Sequence, residues 1–141
     1  MQHDQINMKI IICASMSAIK KIIEVQDDLK VLGHEVVAPE NLERHLAKTF
    51  SSDESTEEKI KDDLIRRYFE KIKDADAVLV LNLDKNGIAN YIGGNTFLEM
   101  GFAHVLAKKI YLLSEIPEVS YRDEIIAMQP VIINGDLKKI C

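Results

Sequence analysis

The sequence is short of positive charge, cysteine and long apolar runs, and each shortage removes a class of function. Lys and Arg number 18 against 23 Asp and Glu, for a formal net charge of −5. A partner of polymeric nucleic acid normally presents a basic face, so this balance argues against that role. Small phosphorylated ligands remain compatible, because one local cluster of donors can hold a phosphate on an acidic protein. No apolar stretch approaches the ~20 residues needed to cross a bilayer. Met1 to Asn7 is polar and lacks the basic-then-apolar pattern of a secretory leader. The two cysteines, Cys13 inside an apolar run and Cys141 at the last position, suit a reducing compartment and not a disulfide framework. A cytoplasmic protein without a membrane partner is expected. His3, His34, His45 and His104 show no metal-ligand spacing, and the cysteines make no zinc set, so neither metal nor cofactor is expected.

What is present is an ordinary globular balance, 47% hydrophobic and 29% charged. The chain carries no repeat, Pro-rich linker or second domain, so residues 1–141 are expected to form one domain. Met8 to Cys13 (MKIIIC) reads as a strand buried on both faces, followed by a small polar loop, Ala14 to Ser17. Ile19, Ile22, Ile23, Leu29 and Leu32 then recur at helical spacing, with Ser17 as a candidate cap and Gly33 as a left-handed stop. His34 to Ala38 is a second strand, stopped by Pro39. Residues 41–56 are irregular and acid-rich. Ser55 and Glu58 have capping-box spacing ahead of an amphipathic helix carrying Ile60, Leu64, Ile65, Tyr68 and Ile72. In that helix Tyr68 reads as the aromatic member of the buried stripe. Ala77 to Leu81, Lys109 to Leu113 and Pro130 to Ile133 read as further strands, with helices at Asn95 to Lys108 and Tyr121 to Met128. Five alternations of strand and helix predict an α/β, doubly wound, five-stranded parallel sheet with the flavodoxin-like order 2-1-3-4-5. Ligands of such sheets bind beyond the carboxyl ends of the strands, where strand order reverses. That rule points to the loop after strand one, the loop Asn82 to Asn95 after strand three, and the start of the next helix.

That helix, apolar almost all round, contains one carboxylate, Glu99, placed in its first turn or so. Desolvation there opposes ionisation while the positive end of the helix favours it, the two conditions a carboxylate nucleophile needs. Thr96 and Glu99 also have capping-box spacing, so a purely local role stands beside the reactive one. Asn95 has a similar double reading, as cap or ligand contact. Gly93 and Gly94 mark a turn first and a phosphate cradle second. Asp84 is either a loop solubiliser or a general acid-base group. His104 reads as a packed helix residue.

The run Gly94-Asn-Thr-Phe-Leu-Glu99-Met-Gly101-Phe-Ala103 follows a strand opened by Ala75-Asp76 and precedes Lys-Lys-Ile-Tyr-Leu-Leu. In these features the chain resembles the nucleoside 2-deoxyribosyltransferase-like family, which carries Glu-x-Gly-x-Ala at the corresponding helix start. The resemblance implies that Glu99 attacks the anomeric carbon of a deoxyribonucleoside or its 5′-monophosphate and forms a glycosyl-enzyme intermediate. Ile-Ile-Cys13-Ala14-Ser15-Met16 is similar to the opening of the related deoxynucleoside 5′-monophosphate N-glycosidases, implying phosphate contact by Ser15. The chain also departs from that pattern. Counting back from Asp76, the family's catalytic aspartate falls on Tyr68, with Asp62 or Asp63 one to two turns earlier. The sugar-contacting Asp or Ser six residues before the glutamate is Gly93 here, and the arginine two residues after the serine is Ser17. The loop Asn82 to Asn95 is longer, and its Asp84, Asn86 and Tyr91 are candidate substitutes.

The expected site therefore has Glu99 and Asp84 as catalytic groups, with Ser15, Met16, Ser17, Asn82, Tyr91, Gly93, Gly94 and Asn95 around the substrate. The apolar helix and the resemblance together imply a homodimer or larger assembly. The alternative function is a non-catalytic nucleotide- or sugar-nucleotide-binding module.

Overall fold

The computed structural model describes residues 7–39 and 63–141. The capping-box pair Ser55 and Glu58, together with Ile60, Asp62, His3 and His45, lies outside the described residues.

Five parallel strands, β1 (Lys9–Cys13), β2 (Glu35–Val37), β3 (Ala77–Val80), β4 (Lys109–Leu112) and β5 (Val131–Ile132), pair in the order β2-β1-β3-β4-β5. This is the expected sheet, with its strands one or two residues shorter than the apolar runs suggested. Helices α1 (Ile19–Val31), α2 (Leu64–Lys73), α3 (Gly94–Val105) and α4 (Arg122–Ala127) make the crossovers. Side chains alternate across a strand, so β1 supplies both layers of the core. Ile10 and Ile12 pack with Ile22, Val25 and Leu29 of α1. Ile11 and Cys13 pack with Tyr68 and Ile72 of α2, Met100 and Ala103 of α3, and Ile125 of α4. The near-unbroken isoleucine run is the consequence of burial on both faces.

Both long-helix stops use left-handed residues. After α1, Gly33 (φ 97°) lets its own N–H reach the Lys30 carbonyl and the His34 N–H reach Leu29, the paired closure expected of a glycine stop. After α3 the same closure uses Ala107 (φ 59°), with N–H bonds from Ala107 to His104 and from Lys108 to Ala103. The expected Ser17 cap is corrected. Ser15 is the cap, its hydroxyl accepting the Ser17 N–H at 3.2 Å to open a 3₁₀ turn at Met16–Ala18, and α1 begins directly from that turn. His104, expected to be packed, is exposed near the end of α3.

Pro39 shapes the open end of β1. The β2 register puts the Glu35 N–H on the Met8 carbonyl, and Ile11 pairs with Val37. Continuing in steps of two, residue 39 falls opposite the Ile12 carbonyl, and proline has no N–H to give. The Tyr68 hydroxyl fills the vacancy, donating to the Ile12 oxygen at 2.7 Å from a buried position on α2. Tyr68 thus belongs to the buried stripe, as expected, and also ties α2 to the last turn of backbone before the candidate site.

Candidate active site

The reversal of strand order lies between β1 and β3, whose carboxyl ends are neighbours through the Cys13 and Val80 pair. Three segments converge on this edge. After β1, Ser15 and Ser17 are exposed, Met16 is half-buried, and the two serine hydroxyls stand 2.9 Å apart. The 3₁₀ turn runs on into α1, so the positive end of that helix lies beyond the strand, where an anion is favoured.

The second segment is the loop after β3. Asn82 is fully buried. Its amide nitrogen donates to the carbonyls of Ser114 (3.0 Å) and Glu115 (2.9 Å), and its oxygen accepts the Ser114 N–H at 2.9 Å. The side chain expected to touch substrate instead joins the loops after β3 and β4. Beyond it, Asn86 (φ 53°) and Gly87 (φ 78°) form a two-residue turn closed by reciprocal 3.0 Å bonds between Lys85 and Ile88. Positive φ at both central residues is what makes Asn-Gly favourable in such a hairpin. The turn presents Lys85 to the first loop, with its ammonium 3.0 Å from the Ser15 hydroxyl. Asp84 is exposed and accepts the Asn90 N–H at 2.9 Å, bracing the base of the hairpin.

The third segment is the start of α3. Gly93 is the N-cap residue, with no side-chain cap, and the Phe97 N–H bonds to its carbonyl at 2.9 Å. Helical residues therefore begin at Gly94. The exposed Asn95 is inside the first turn and does not cap it, and Thr96 is a buried member of that turn. This placement removes the Thr96-to-Glu99 capping box, because Thr96 is not at the helix boundary. The lack of a side chain at Gly93 is filled by Tyr91, whose ring carbon Cε2 would lie 3.3 Å from a β-carbon there. The Tyr121 hydroxyl donates to the Ile92 carbonyl and has Tyr91 as a neighbour. Burial first, then this neighbour, raises the Tyr121 phenol above its ordinary pKa.

Glu99 is half-buried on the second turn of α3. Cys13, the last residue of β1, is completely buried and feels its charge. Burial, followed by the charge of Glu99 and a hydrogen bond with it, pushes the Cys13 thiol well above its ordinary pKa. The thiol therefore keeps its proton. The structure brings Glu99 to the carboxyl end of β1, with Ser15 two residues further along the chain and in contact with Lys85. Among the described residues, no group of three or more His, Cys, Asp or Glu side chains is arranged to hold a metal ion. No described helix is long and apolar enough to cross a membrane.

No family model and no curated protein matches the chain. A solved structure does. That of a Clostridium botulinum CMP N-glycosidase, BcmB, aligns over 89% of this chain and 84% of its own, at 22% identity and a TM-score of 0.50. At that identity the likeness establishes the fold.

Two site features escaped the sequence reading. Lys85 belongs to no motif of its own, although Asn86-Gly87 is a strong hairpin signal that puts it beside the turn. The pairing of Cys13 with Glu99 had a weaker signal. Period-two alternation puts Cys13 on the same face as Ile11, but only the packing of α3 on that face makes the contact.

Proposed function

We propose that this chain cleaves the N-glycosidic bond of a nucleoside 5′-monophosphate, with Glu99 as nucleophile. The observation that carries this reading is the half-buried Glu99 carboxylate near the buried end of β1, at the carboxyl edge where strand order reverses. A glutamate that closes a capping box stands three residues after the cap residue, a place held here by Thr96, and Glu99 lies three residues further on.

In this reading a Glu99 oxygen bonds to C1′ as the bond from C1′ to the base breaks, with its electron pair leaving on the base and a proton supplied by solvent. Water then adds at C1′ and frees Glu99, the two-step retaining logic of glycoside hydrolysis. An acceptor base in place of that water gives transfer instead. Asp84, exposed on the loop beyond β3, is assigned to the water-activating step. Ser15, Ser17 and Met16 form the phosphate end, where Lys85 supplies the positive charge that Ser17 lacks. Gly93, Gly94, Asn95 and Tyr91 form the wall beside the sugar. This choice of a monophosphate over a free nucleoside is supported by Lys85 and by the fold shared with a CMP N-glycosidase. Deoxyribose is favoured by the resemblance of the Glu99 motif. Charge stabilisation and positioning are the main contributions such a site makes.

The test is incubation with ribo- and deoxyribonucleosides and their 5′-monophosphates, followed by chromatography for free base. Release from monophosphates by the wild type and its loss in Glu99→Ala support the reading. Saturable binding with no release by either protein would establish the non-catalytic module instead.

The same reading includes a homodimer or larger assembly. Val105 (81% exposed) and Leu98 (41%) of α3, with Ile65 (49%) of α2, leave apolar side chains on the outer face of the helices. A monomeric mass by light scattering at micromolar concentration would remove that part. Both cysteines are free, which suits a reducing, cytoplasmic setting.

A further inference from the structure

We propose that residues 114–121, the segment between β4 and α4, form the wall of the same site that meets the nucleobase, with Asn82 as the positioning residue that holds this segment in place. This rests on the reading of the site as one for a nucleoside 5′-monophosphate.

The segment is tied at both ends to parts of the site. Where it leaves β4, the fully buried Asn82 beyond β3 accepts the Ser114 N–H at 2.9 Å and donates to the Ser114 and Glu115 carbonyls at 3.0 and 2.9 Å. Where it reaches α4, the Tyr121 hydroxyl donates to the Ile92 carbonyl, one residue before Gly93, and the Tyr121 ring lies 4.7 Å from that of Phe97 near the start of α3. Residues 114–121 therefore run along the carboxyl edge from the loop after β3 to the start of α3, and they bound the site on its β4 side. A buried amide that meets three backbone groups fixes the path of a loop, whereas apolar packing alone lets it slide. The phosphate end, at Ser15 and Lys85, lies beyond β1, and β4 is two strand spacings away, about 10 Å. A nucleotide with its phosphate over β1 and its sugar beside Glu99 thus carries its base toward this segment. There Ile116 and Val119 are half-buried apolar side chains, and Glu115 is exposed. The neighbouring carboxylate, Glu118, is engaged by Arg122 at 3.1 Å. Apolar side chains with a small number of polar groups are the lining that holds a flat heterocycle.

The experiment separates the base from the rest of the ligand. Isothermal titration calorimetry in a Glu99→Ala background, where nothing is turned over, compares the four deoxynucleoside 5′-monophosphates with deoxyribose 5-phosphate, which has no base. Asn82→Ala, which releases the start of the segment, is expected to weaken the nucleotides about tenfold and deoxyribose 5-phosphate by less than about twofold. A general loss of structure would weaken both alike. Replacing Glu115 and Ile116 together by alanine leaves Asn82 and its bonds in place, and it is expected to give the same split and to change the order of preference among the bases. That second variant decides if Asn82→Ala does not fold. Nucleotides and deoxyribose 5-phosphate weakened equally, or neither affected, overturns the proposal while the nucleotide reading stands. If the Glu99→Ala background alone binds neither kind of ligand, the nucleotide reading fails and the proposal falls with it.

Discussion

Replacing Tyr68 with phenylalanine keeps the ring that packs beside Ile72 and removes only the hydroxyl that serves the Ile12 carbonyl. That carbonyl lies on a fully buried residue, and Pro39 cannot supply the N–H that the β2 register would otherwise bring to it. Leaving a buried acceptor unsatisfied costs about 1–3 kcal/mol, so Tyr68→Phe is expected to lose that much stability. Urea unfolding followed by circular dichroism measures it, with the m-value unchanged if only native stability is altered. The decisive arm is a double-mutant cycle with Pro39→Ala, which returns an N–H at the place where the strand pairing stops. In that background the cost of Tyr68→Phe is expected to fall to about half or less, because β2 can extend and satisfy Ile12 itself. Full additivity, or a cost for Tyr68→Phe below about 0.5 kcal/mol, would refute the claim that an orphaned strand carbonyl is what Tyr68 serves.

Further consequences are as direct. Ala107 holds a left-handed conformation (φ 59°) at an exposed helix stop; Ala107→Gly is expected to raise stability by about 0.5–1 kcal/mol in the same unfolding assay. Gly93→Ala puts a β-carbon 3.3 Å from the Tyr91 ring; because Gly93 has φ −84°, the cost is steric, and it should vanish in a Tyr91→Ala background, as denaturation midpoints would show. Burial and Glu99 hold the Cys13 thiol protonated well above 9.0, whereas the unfolded chain ionises it near there. Its contribution to stability is therefore present below that pH and is lost as pH rises above it. Unfolding curves across the alkaline range should accordingly fall less steeply for Cys13→Ala than for the wild type.

The sheet was legible because each of its strands is an apolar run between helical patterns, and the rule of right-handed crossovers leaves few arrangements of such a chain. Strand ends were less legible, since they depend on which backbone partners exist: β2 stops at Val37 where the next partner is a proline. The region of the site was legible for the same topological reason, and Glu99 stood out as the one carboxylate in an apolar helix. Its neighbours were not. Asn82 looked like a ligand contact by position, yet it joins two loops, because a fully buried amide at a strand end must find backbone partners. Asn86 likewise looked like a substitute side chain and is the first residue of a tight turn. The cap expected at Ser17 moved to Ser15 because a 3₁₀ turn precedes α1. The space left by Gly93 is occupied by Tyr91 from two residues earlier, a compensation that no local spacing rule announces.

The central claim is that Glu99 becomes covalently attached to the sugar. Intact-protein mass spectrometry after rapid acid quenching of a reaction with a deoxynucleoside 5′-monophosphate reads this directly. The account predicts an added mass of one sugar phosphate on the wild type, mapping to the peptide containing Glu99 and absent from Glu99→Ala. Base release that continues undiminished in Glu99→Ala, with no adduct on the wild type, would contradict it.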